Sequence, residues 1–243
     1  MSERNGHNLW GMVALAAALV VAAAVLGGAL KDIRRTDTIT VTGSARKPIR
    51  SDFVIWRGSV SSQKSTMQEA YQDVKRYGDR LKSYFKEHRV PESAVEFGAI
   101  SNEPIQEWLP ERGSTGRILG YRIWQQFTIR SAQVDSIAAL AQSSSELINE
   151  GVPLMASSPE FLFTKLAEMR VEMLGEASKD AKQRAEKIAE AVGCKIGAVR
   201  TARMGVFQIT ARNSTEVSDY GVYDTSSLEK DITAVVSLSF SVD

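Results

Sequence analysis

The chain has 243 residues, of which 43% are apolar and 24% charged, and 30 Lys plus Arg balance 29 Asp plus Glu. A formal charge of +1, with no run of five or six like charges, argues against a nucleic-acid partner. One cysteine, Cys194, and two histidines, His7 and His88, supply too few side chains for a zinc or iron–sulfur site or a Ser-His-Asp triad. We therefore expect no catalytic residues, no metal and no cofactor.

Residues 9–30 form an uncharged, apolar stretch. As a helix it would be roughly 33 Å long, which matches the hydrocarbon core of about 30 Å. The stretch predicts a transmembrane anchor whose partner is the lipid bilayer. Residues 1–8 would then be a short cytoplasmic tip, 31–36 a charged linker, and 37–243 the ectodomain.

A cleaved secretory signal is the alternative interpretation of this stretch. Gly27 and Ala29 could supply its small-x-small cleavage site, although the apolar run is longer than usual. The flanking charges do not decide the orientation, because Arg4 lies on one side and three basic residues within 31–35 lie on the other. Cleavage would leave the ectodomain periplasmic or secreted.

After the linker, the pattern predicts strands and a long helix. Alternating β-branched residues predict a strand at Thr38–Thr42 and another at Asp52–Ser61. Thr66 and Glu69 have the spacing of a capping box, which predicts the start of an amphipathic helix. Pro91 would end it.

The middle of the chain continues this alternation of elements. A strand is predicted from Ala94 to Ile105, and the clearest two-residue alternation in the chain predicts another at residues 121–130. An amphipathic pattern predicts a shorter helix over Val134–Asn149, which would end at Gly151.

The last third contains the longest predicted helix. It follows a strand at Glu160–Phe163 and covers Lys165–Val192. Its inner stripe contains alanines at four-residue spacing, which would let its axis approach a supporting sheet closely. Two more strands are predicted at Ala198–Thr210 and Ile232–Val242.

The order strand, helix, strand, strand thus occurs twice, at about residues 51–131 and 157–242. The predicted fold class is α+β: a duplicated strand-helix-strand-strand unit in which helices cover antiparallel sheets, preceded by the transmembrane helix.

Several of these segments together resemble the SIMPL-domain family, which includes YggE-like and 26 kDa periplasmic immunogenic proteins. The resemblance covers nearly everything after residue 36. It is carried by the strand Ile39–Ala45, the Ala-rich helix over Ala177–Ala191, its end at Gly193, and the sequence Ile196-Gly197-Ala198-Val199.

The resemblance implies an α+β ectodomain in the bacterial envelope or periplasm. It also implies a tendency, found in some members, to form large ring-like or channel-like homo-oligomers, and a loose connection to oxidative or envelope stress. The family offers no agreed catalytic residues to transfer to this sequence.

Two predicted long loops supply the candidate contact residues. The first, residues 103–117, contains Trp108, and the second, residues 211–229, contains Tyr220 and Tyr223. Long ordered loops are often functional, so these aromatic residues could be anchors at a contact surface with a partner. Alternatively, each aromatic ring could fold back over its own hairpin.

The leading hypothesis is a non-enzymatic, membrane-tethered and self-associating SIMPL-type protein of the bacterial inner membrane. Its ectodomain would face the periplasm or the outside of the cell, and it would contribute to envelope integrity or stress tolerance. The alternative is a periplasmic binding module that holds a small solute, peptide or glycan in the two long loops or in the cleft between the repeats.

Overall fold

The computed structural model describes residues 13, 15–23 and 37–242. Over this range the chain is α+β with antiparallel sheets, as the sequence predicts. The strands are β1 (Thr38–Arg50), β2 (Phe53–Lys64), β3 (Val95–Leu109), β4 (Gly113–Ser131), β5 (Leu154–Ala156), β6 (Glu160–Leu162), β7 (Ile196–Met204), β8 (Gln208–Ala211) and β9 (Glu229–Val242). The helices after residue 37 are α1 (Met67–Glu87), α2 (Val134–Ser143), α3 (Glu146–Asn149) and α4 (Leu166–Val192), with a single 3-10 turn at Glu92–Ala94.

The predicted transmembrane anchor lies mostly outside the described residues. Of residues 9–30, the structure describes 13 and 15–23, which are helical and exposed. The predicted linker at 31–36 is also outside this range. Among the described residues, no helix combines the length and the apolar character needed to cross a bilayer.

The described chain divides into two compact units. One contains residues 37–44, 177–204 and 236–242, and the other contains 45–176 and 205–235.

The larger unit is built on a five-stranded antiparallel sheet. Its strand order is β3-β4-β2-β5, and β6 also pairs with β2. Helix α1 packs on β2 and β4. At the centre of this packing the ring of Trp56 lies 5.3 Å from that of Phe127, and Phe85 of α1 lies 5.2 Å from the same Phe127 ring. These buried aromatic side chains attach the helix to one face of the sheet.

The start of α1 confirms the predicted N-cap at Thr66, which is half of a capping box. The Glu69 backbone N–H donates to Thr66 Oγ1 at 3.3 Å, and Thr66 Oγ1 lies 2.9 Å from the Glu69 carboxylate. A free backbone donor in the first turn is thus satisfied by the side chain of the residue before the helix.

Strands β1, β9 and β7 form a second antiparallel sheet in that order, and β8 pairs with the first part of β9. Two segments that lie far apart in the sequence meet in this sheet, because Val242 N–H donates to Asp37 O at 3.1 Å. Three residues further along each strand, the hydroxyl groups of Thr40 and Ser239 lie 2.7 Å apart.

The alanines of α4 are buried, as their four-residue spacing predicts. Ala177, Ala181 and Ala185 have no exposed surface. A Cβ atom on Gly43 of β1 would lie 2.3 Å from the backbone oxygen of Ala177. Helix and strand backbones are therefore in direct contact here, which only glycine and alanine at these positions permit.

Three predicted elements differ in the structure. The strand predicted at residues 198–210 is divided into β7 and β8 around Gly205, whose N–H donates to Val235 O at 2.9 Å. The helix predicted at 134–149 is divided into α2 and α3 at Ser144, whose hydroxyl donates to the Ala141 carbonyl at 2.7 Å and so competes with the helical hydrogen bonds.

The third difference concerns the predicted second repeat at residues 157–242. Its first strand, now β6, pairs with β2 of the five-stranded sheet through Phe53 and Leu162. Strand β9, at the end of this segment, pairs in the other sheet with β1 and β7. The sequence order of strands does not reveal such a long-range pairing.

Candidate functional site

The hairpin formed by β3 and β4 extends beyond the rest of its sheet. The ladder between β2 and β4 ends where Lys64 pairs with Tyr121, whereas the ladder between β3 and β4 continues to the pair Leu109 and Gly113. Residues 105–120 therefore form a two-stranded extension, the hairpin arm. Since an isolated two-stranded hairpin is only marginally stable in water, the arm depends on its own side-chain contacts or on a partner.

The prediction of a long loop at residues 103–117 is wrong. Only residues 110–112 lie between the strands. Pro104 and Pro110, which flank Trp108, suggested a loop, because proline is rare inside strands. However, β3 is an edge strand, where proline is tolerated, and the ladder shifts register between Ile105 and Trp108 to accommodate the irregular pattern.

The apolar side chains of the hairpin arm are exposed. Trp108 is 73% exposed, and Leu109, Ile118 and Leu119 are exposed as well. The Trp108 atom Cη2 lies 3.8 Å from the position that a Cβ atom on Gly113 would occupy, so the ring lies beside the backbone of the opposite strand. Most of its surface remains available for contact with a partner.

Polar side chains hold the tip of the arm together. Ser114 Oγ donates to Gln106 Oε1 at 2.6 Å, and Thr115 Oγ1 donates to Glu107 Oε2 at 2.9 Å. Arg117 adds an ion pair to Glu107 at 3.6 Å. The arm thus has a defined shape while its apolar side chains face solvent.

The second predicted loop connects β8 to β9 at residues 212–228. Tyr220 is 97% exposed near its middle. The segment then returns to the sheet, where Tyr223 forms a β-bridge with Ile209 and the Asp224 N–H donates to Ile209 O at 2.8 Å. The two tyrosines therefore have different environments, since Tyr220 projects into solvent and Tyr223 lies at the base of the loop.

Tyr223 lies over a buried lysine. Lys230 is 1% exposed, and its Nζ lies 5.9 Å from the centroid of the Tyr223 ring. Nζ donates to the backbone oxygen of Phe161 at 2.6 Å and to that of Asp224. Burial lowers the pKa of Lys230, and the nearby Asp224 carboxylate opposes this effect. The lysine thereby joins the base of the loop to β6.

The Asp224 side chain shapes the same turn. Its Oδ1 accepts hydrogen bonds from the Ser226 N–H at 2.8 Å and the Ser226 hydroxyl at 2.7 Å. Burial tends to raise the pKa of Asp224, but the hydrogen bonds from Ser226 and Ser227 and the charge of Lys230 outweigh it, so the pKa is lowered. Within the described part of the chain, Asp224 Oδ2 is buried and has no hydrogen-bond partner.

The three predicted contact residues do not form one cluster. Tyr220 and Tyr223 belong to the loop, Trp108 belongs to the hairpin arm, and no ring contact joins any of them within the described ranges. All three side chains remain exposed candidates for partner contact, although Tyr223, which is 44% exposed, also packs against the base of its own loop.

A comparison with known families identifies the chain. The profile of SIMPL, a protein family of unknown function (DUF541), matches residues 39–240. The chain belongs to the SIMPL family. No curated protein matches this SIMPL chain.

Solved structures resemble parts of the SIMPL chain. The de novo designed protein Foldit4 is 12% identical with a TM-score of 0.22, over 43% of this chain and 93% of its own. An amidase of the hydantoinase/carbamoylase family from Burkholderia phymatum is 10% identical with a TM-score of 0.26, over 53% of this chain and 32% of the amidase. The SIMPL chain thus matches about a third of the length of that amidase, and likenesses this weak carry no functional argument.

Lys230 was not singled out from the sequence, although the pattern contained a signal for it. It lies two residues before Ile232 and in phase with Ala234 and Val236, which face the buried side of β9. Two-residue alternation therefore places the lysine on the buried side.

Asp231, its neighbour, is a second missed residue. Its side chain is 8% exposed and lies 2.6 Å from Arg46 Nη2, and it accepts the Asn213 N–H at 3.1 Å. Burial tends to raise the pKa of Asp231, but the hydrogen bonds from Asn213 and Arg46 outweigh it and the pKa is lowered. The contacts of Asp231 with Arg46 and Asn213 connect β1 to the start of the loop. Only the pairing of β1 with β9 in the folded chain brings these residues together.

Cys194 is free and half-buried in the SIMPL chain. Its N–H donates to Ala189 O at 2.9 Å, beyond the end of α4. Among the residues that the structure describes, no group of three or more His, Cys, Asp or Glu side chains is placed to hold a metal ion.

The larger unit also contains an open cavity of 480 Å³ between α2, α3 and the β5–β6 segment. Trp56 and Phe161 contribute aromatic surface, and Gln142, Ser145 and Ser158 contribute polar groups. The lining that the structure describes has no charged side chain, so this cavity suits an uncharged molecule.

Proposed function

We propose that this SIMPL protein is a non-catalytic, membrane-tethered protein that associates with further copies of itself through the hairpin arm. The supporting observation is that the arm extends beyond its sheet and exposes a tryptophan and three aliphatic side chains. Tryptophan and other large apolar residues are enriched at the centres of protein interfaces. Burial against a second copy would remove this apolar surface from water.

The charges of the arm support an identical partner. Glu107, Glu111, Arg112 and Arg117 give residues 105–120 two negative and two positive charges. A surface with balanced charge does not repel a copy of itself, and acidic and basic groups can meet across a two-fold axis. Tyr220, on the exposed loop, would extend the contact.

The membrane tether rests on the sequence. The uncharged stretch at residues 9–30 is long enough to cross a bilayer. A tether of this kind would confine the ectodomain to a surface, which raises its local concentration and allows modest interfaces to assemble. We place the ectodomain in the periplasm or outside the cell and propose a contribution to envelope integrity or stress tolerance, because the SIMPL resemblance implies such a role.

The native mass of the full-length chain in detergent tests self-association. We expect an assembly of several copies by light scattering coupled to size-exclusion chromatography. Trp108→Ser should shift the mass towards that of one chain, with circular dichroism unchanged. Tyr71→Ser is the matched control, because Tyr71 is an exposed aromatic residue on α1 and its loss should leave the mass unaltered.

A wild-type protein that is a strict monomer at all concentrations contradicts the proposal. An assembly that Trp108→Ser and Tyr71→Ser leave equally intact would instead exclude the hairpin arm as its interface. N-terminal sequencing of the mature protein tests the tether separately, since a chain that begins after residue 29 has lost it.

The 480 Å³ cavity supports the second candidate, a periplasmic binding module for a small uncharged solute. Such a module would bind its solute as a monomer, and equilibrium dialysis against a mixture of neutral small solutes distinguishes it from the self-associating protein.

A further inference from the structure

A second, smaller cavity opens beside the C-terminal half of α1. Its volume is 320 Å³, near the lower end of the range of ligand pockets, which is roughly 300–1,000 Å³. Helix α1 forms one wall, and the segment that leads through the 3-10 turn into β3 forms the other. All of its lining residues belong to the larger unit.

The floor of this cavity is apolar and well supported. It consists of Phe85, Val90, Val95 and Phe97. Phe85 and Val90 are buried in the core, and the Phe85 and Phe97 rings lie 6.3 Å apart. The Val90 N–H donates to Phe85 O at 2.9 Å, which fixes the chain as it leaves the helix. The floor therefore exists before any ligand binds.

The rim carries two lysines and one glutamate. Lys82 and Lys86 are four residues apart on α1, so both ammonium groups lie on the same face of the helix. Lys82 Nζ lies 5.4 Å from the centroid of the Phe97 ring and 3.2 Å from Asp79 Oδ1. Glu92 stands on the opposite wall.

Like charges at this spacing cost a helix a small amount of stability. The lining side chains carry two positive charges and one negative charge, and Asp79, which is not part of the lining, already pairs with Lys82. An anion placed between the two lysines would pair with Lys86 and share Lys82 with Asp79, and an apolar body attached to it would cover the Phe97 floor.

We propose that this cavity binds a small organic anion that has one carboxylate or sulfonate group on an aromatic or branched aliphatic body. The anionic group lies between Lys82 and Lys86, and the apolar body lies on Phe85, Val95 and Phe97. This site is independent of the hairpin arm and of self-association.

The test compares two probes that differ only in charge. Isothermal titration calorimetry of the full-length protein in detergent is carried out with 2-naphthoate and with its uncharged analogue 2-naphthalenemethanol, each corrected by a protein-free detergent blank. We expect saturable binding of naphthoate at one site per chain and binding of the alcohol that is weaker by roughly five-fold or more, the size expected for partly exposed ion pairs.

Variants locate the site. Lys82→Gln combined with Lys86→Gln should remove the preference for naphthoate while leaving the alcohol unaffected. Val95→Phe should fill the floor and abolish the binding of both probes, with circular dichroism confirming the fold. Lys75→Gln is the matched control, because Lys75 is exposed on the same helix and does not line the cavity.

Equal affinity for the two probes in the wild-type protein, or a preference for naphthoate that survives loss of both lysines, would overturn the proposal. Binding of naphthoate that Val95→Phe leaves intact would also overturn it, since the probe would then occupy another surface. These outcomes are independent of the native mass, so the site and the proposed self-association can fail separately.

Discussion

A Cβ atom on Gly43 would lie 2.3 Å from the backbone nitrogen of Ala181, so strand β1 and helix α4 meet backbone to backbone. Next to this contact the Ser44 N–H donates to Asp180 Oδ2 at 2.8 Å. The hydrogen bond from Ser44, assisted by Arg184, lowers the pKa of Asp180. The hydrogen bond between Ser44 and Asp180 therefore fixes the position at which Gly43 of β1 contacts Ala181 of α4.

Gly43→Ala should destabilise the protein by about 3 kcal/mol, because the new methyl group overlaps backbone atoms that cannot move independently. Urea unfolding followed by circular dichroism measures the change. Gly175→Ala is the control in α4: its Cβ would meet open space, and alanine should add about 0.5–1 kcal/mol to helix stability. Equal stability of Gly43→Ala and the wild type would contradict the close contact.

Asp231→Asn should cost about 1–3 kcal/mol near neutral pH, since it weakens the bonds to Arg46 and Asn213 at a nearly buried position. The pKa of Asp231 is lowered from its ordinary 3.8, so its contribution is present above that value and is lost as the pH falls through the folded-state pKa. Urea unfolding between about pH 3 and 7 should show the deficit shrinking below 3.8.

The control for this pH dependence is Asp135→Asn. Asp135 also pairs with an arginine, at 2.6 Å from Arg50, but its side chain is largely exposed. Exposed ion pairs contribute little, so its replacement should change stability by less than about 1 kcal/mol. A deficit for Asp231→Asn that stays constant with pH would show that the carboxylate charge does not supply the stabilisation.

Lys230→Met should destabilise the protein by about 2–4 kcal/mol, because two partly buried carbonyl groups lose the donor that the buried lysine supplies. The loop at 212–228 should also become more sensitive to limited proteolysis, followed by mass spectrometry of the fragments. Lys187→Met, at an exposed position on α4, should alter neither stability nor cleavage. Unchanged cleavage in Lys230→Met would show that the lysine does not hold the loop.

Thr66→Ala should cost about 1 kcal/mol, because the first turn of α1 loses the acceptor for the Glu69 N–H. Thr66→Ser retains a hydroxyl group and should restore most of this loss. Thermal unfolding of the two variants beside the wild type checks the difference. Similar melting temperatures for the Thr66→Ala and Thr66→Ser variants would show that the Thr66 hydroxyl group does not stabilise α1.

The features that could be predicted from the sequence are those with a local signal. The capping residues Thr66 and Glu69 marked the start of α1, and the alanines of α4 predicted a close approach to a strand. Both depend on contacts within a helix or on the size of single side chains. The strand β9 was likewise predicted from the alternation of apolar and polar residues at Ile232–Val242.

The features that escaped prediction depend on pairing between distant residues. The hairpin arm has register shifts that disrupt its two-residue period, and Pro104 and Pro110 suggested a loop. The partnership of β6 with β2 and of β1 with β9 has no local signature, because any exposed strand edge offers the same hydrogen-bonding groups. Lys230 was visible in the alternation of β9, but a lysine is rarely fully buried.

The hydrogen bond between Val242 and Asp37 joins two residues that lie far apart in the sequence. Strand β1 is synthesised before β9, with which it pairs, and β2–β4 and α1 lie between them. The edge of β1 that pairs with β9 therefore stays unpaired until β9 has been synthesised, whereas the β2–β4 sheet and α1 have their partners earlier. We expect the pairing of β1 with β9 to form late in folding, because contacts between residues distant in the sequence form slowly.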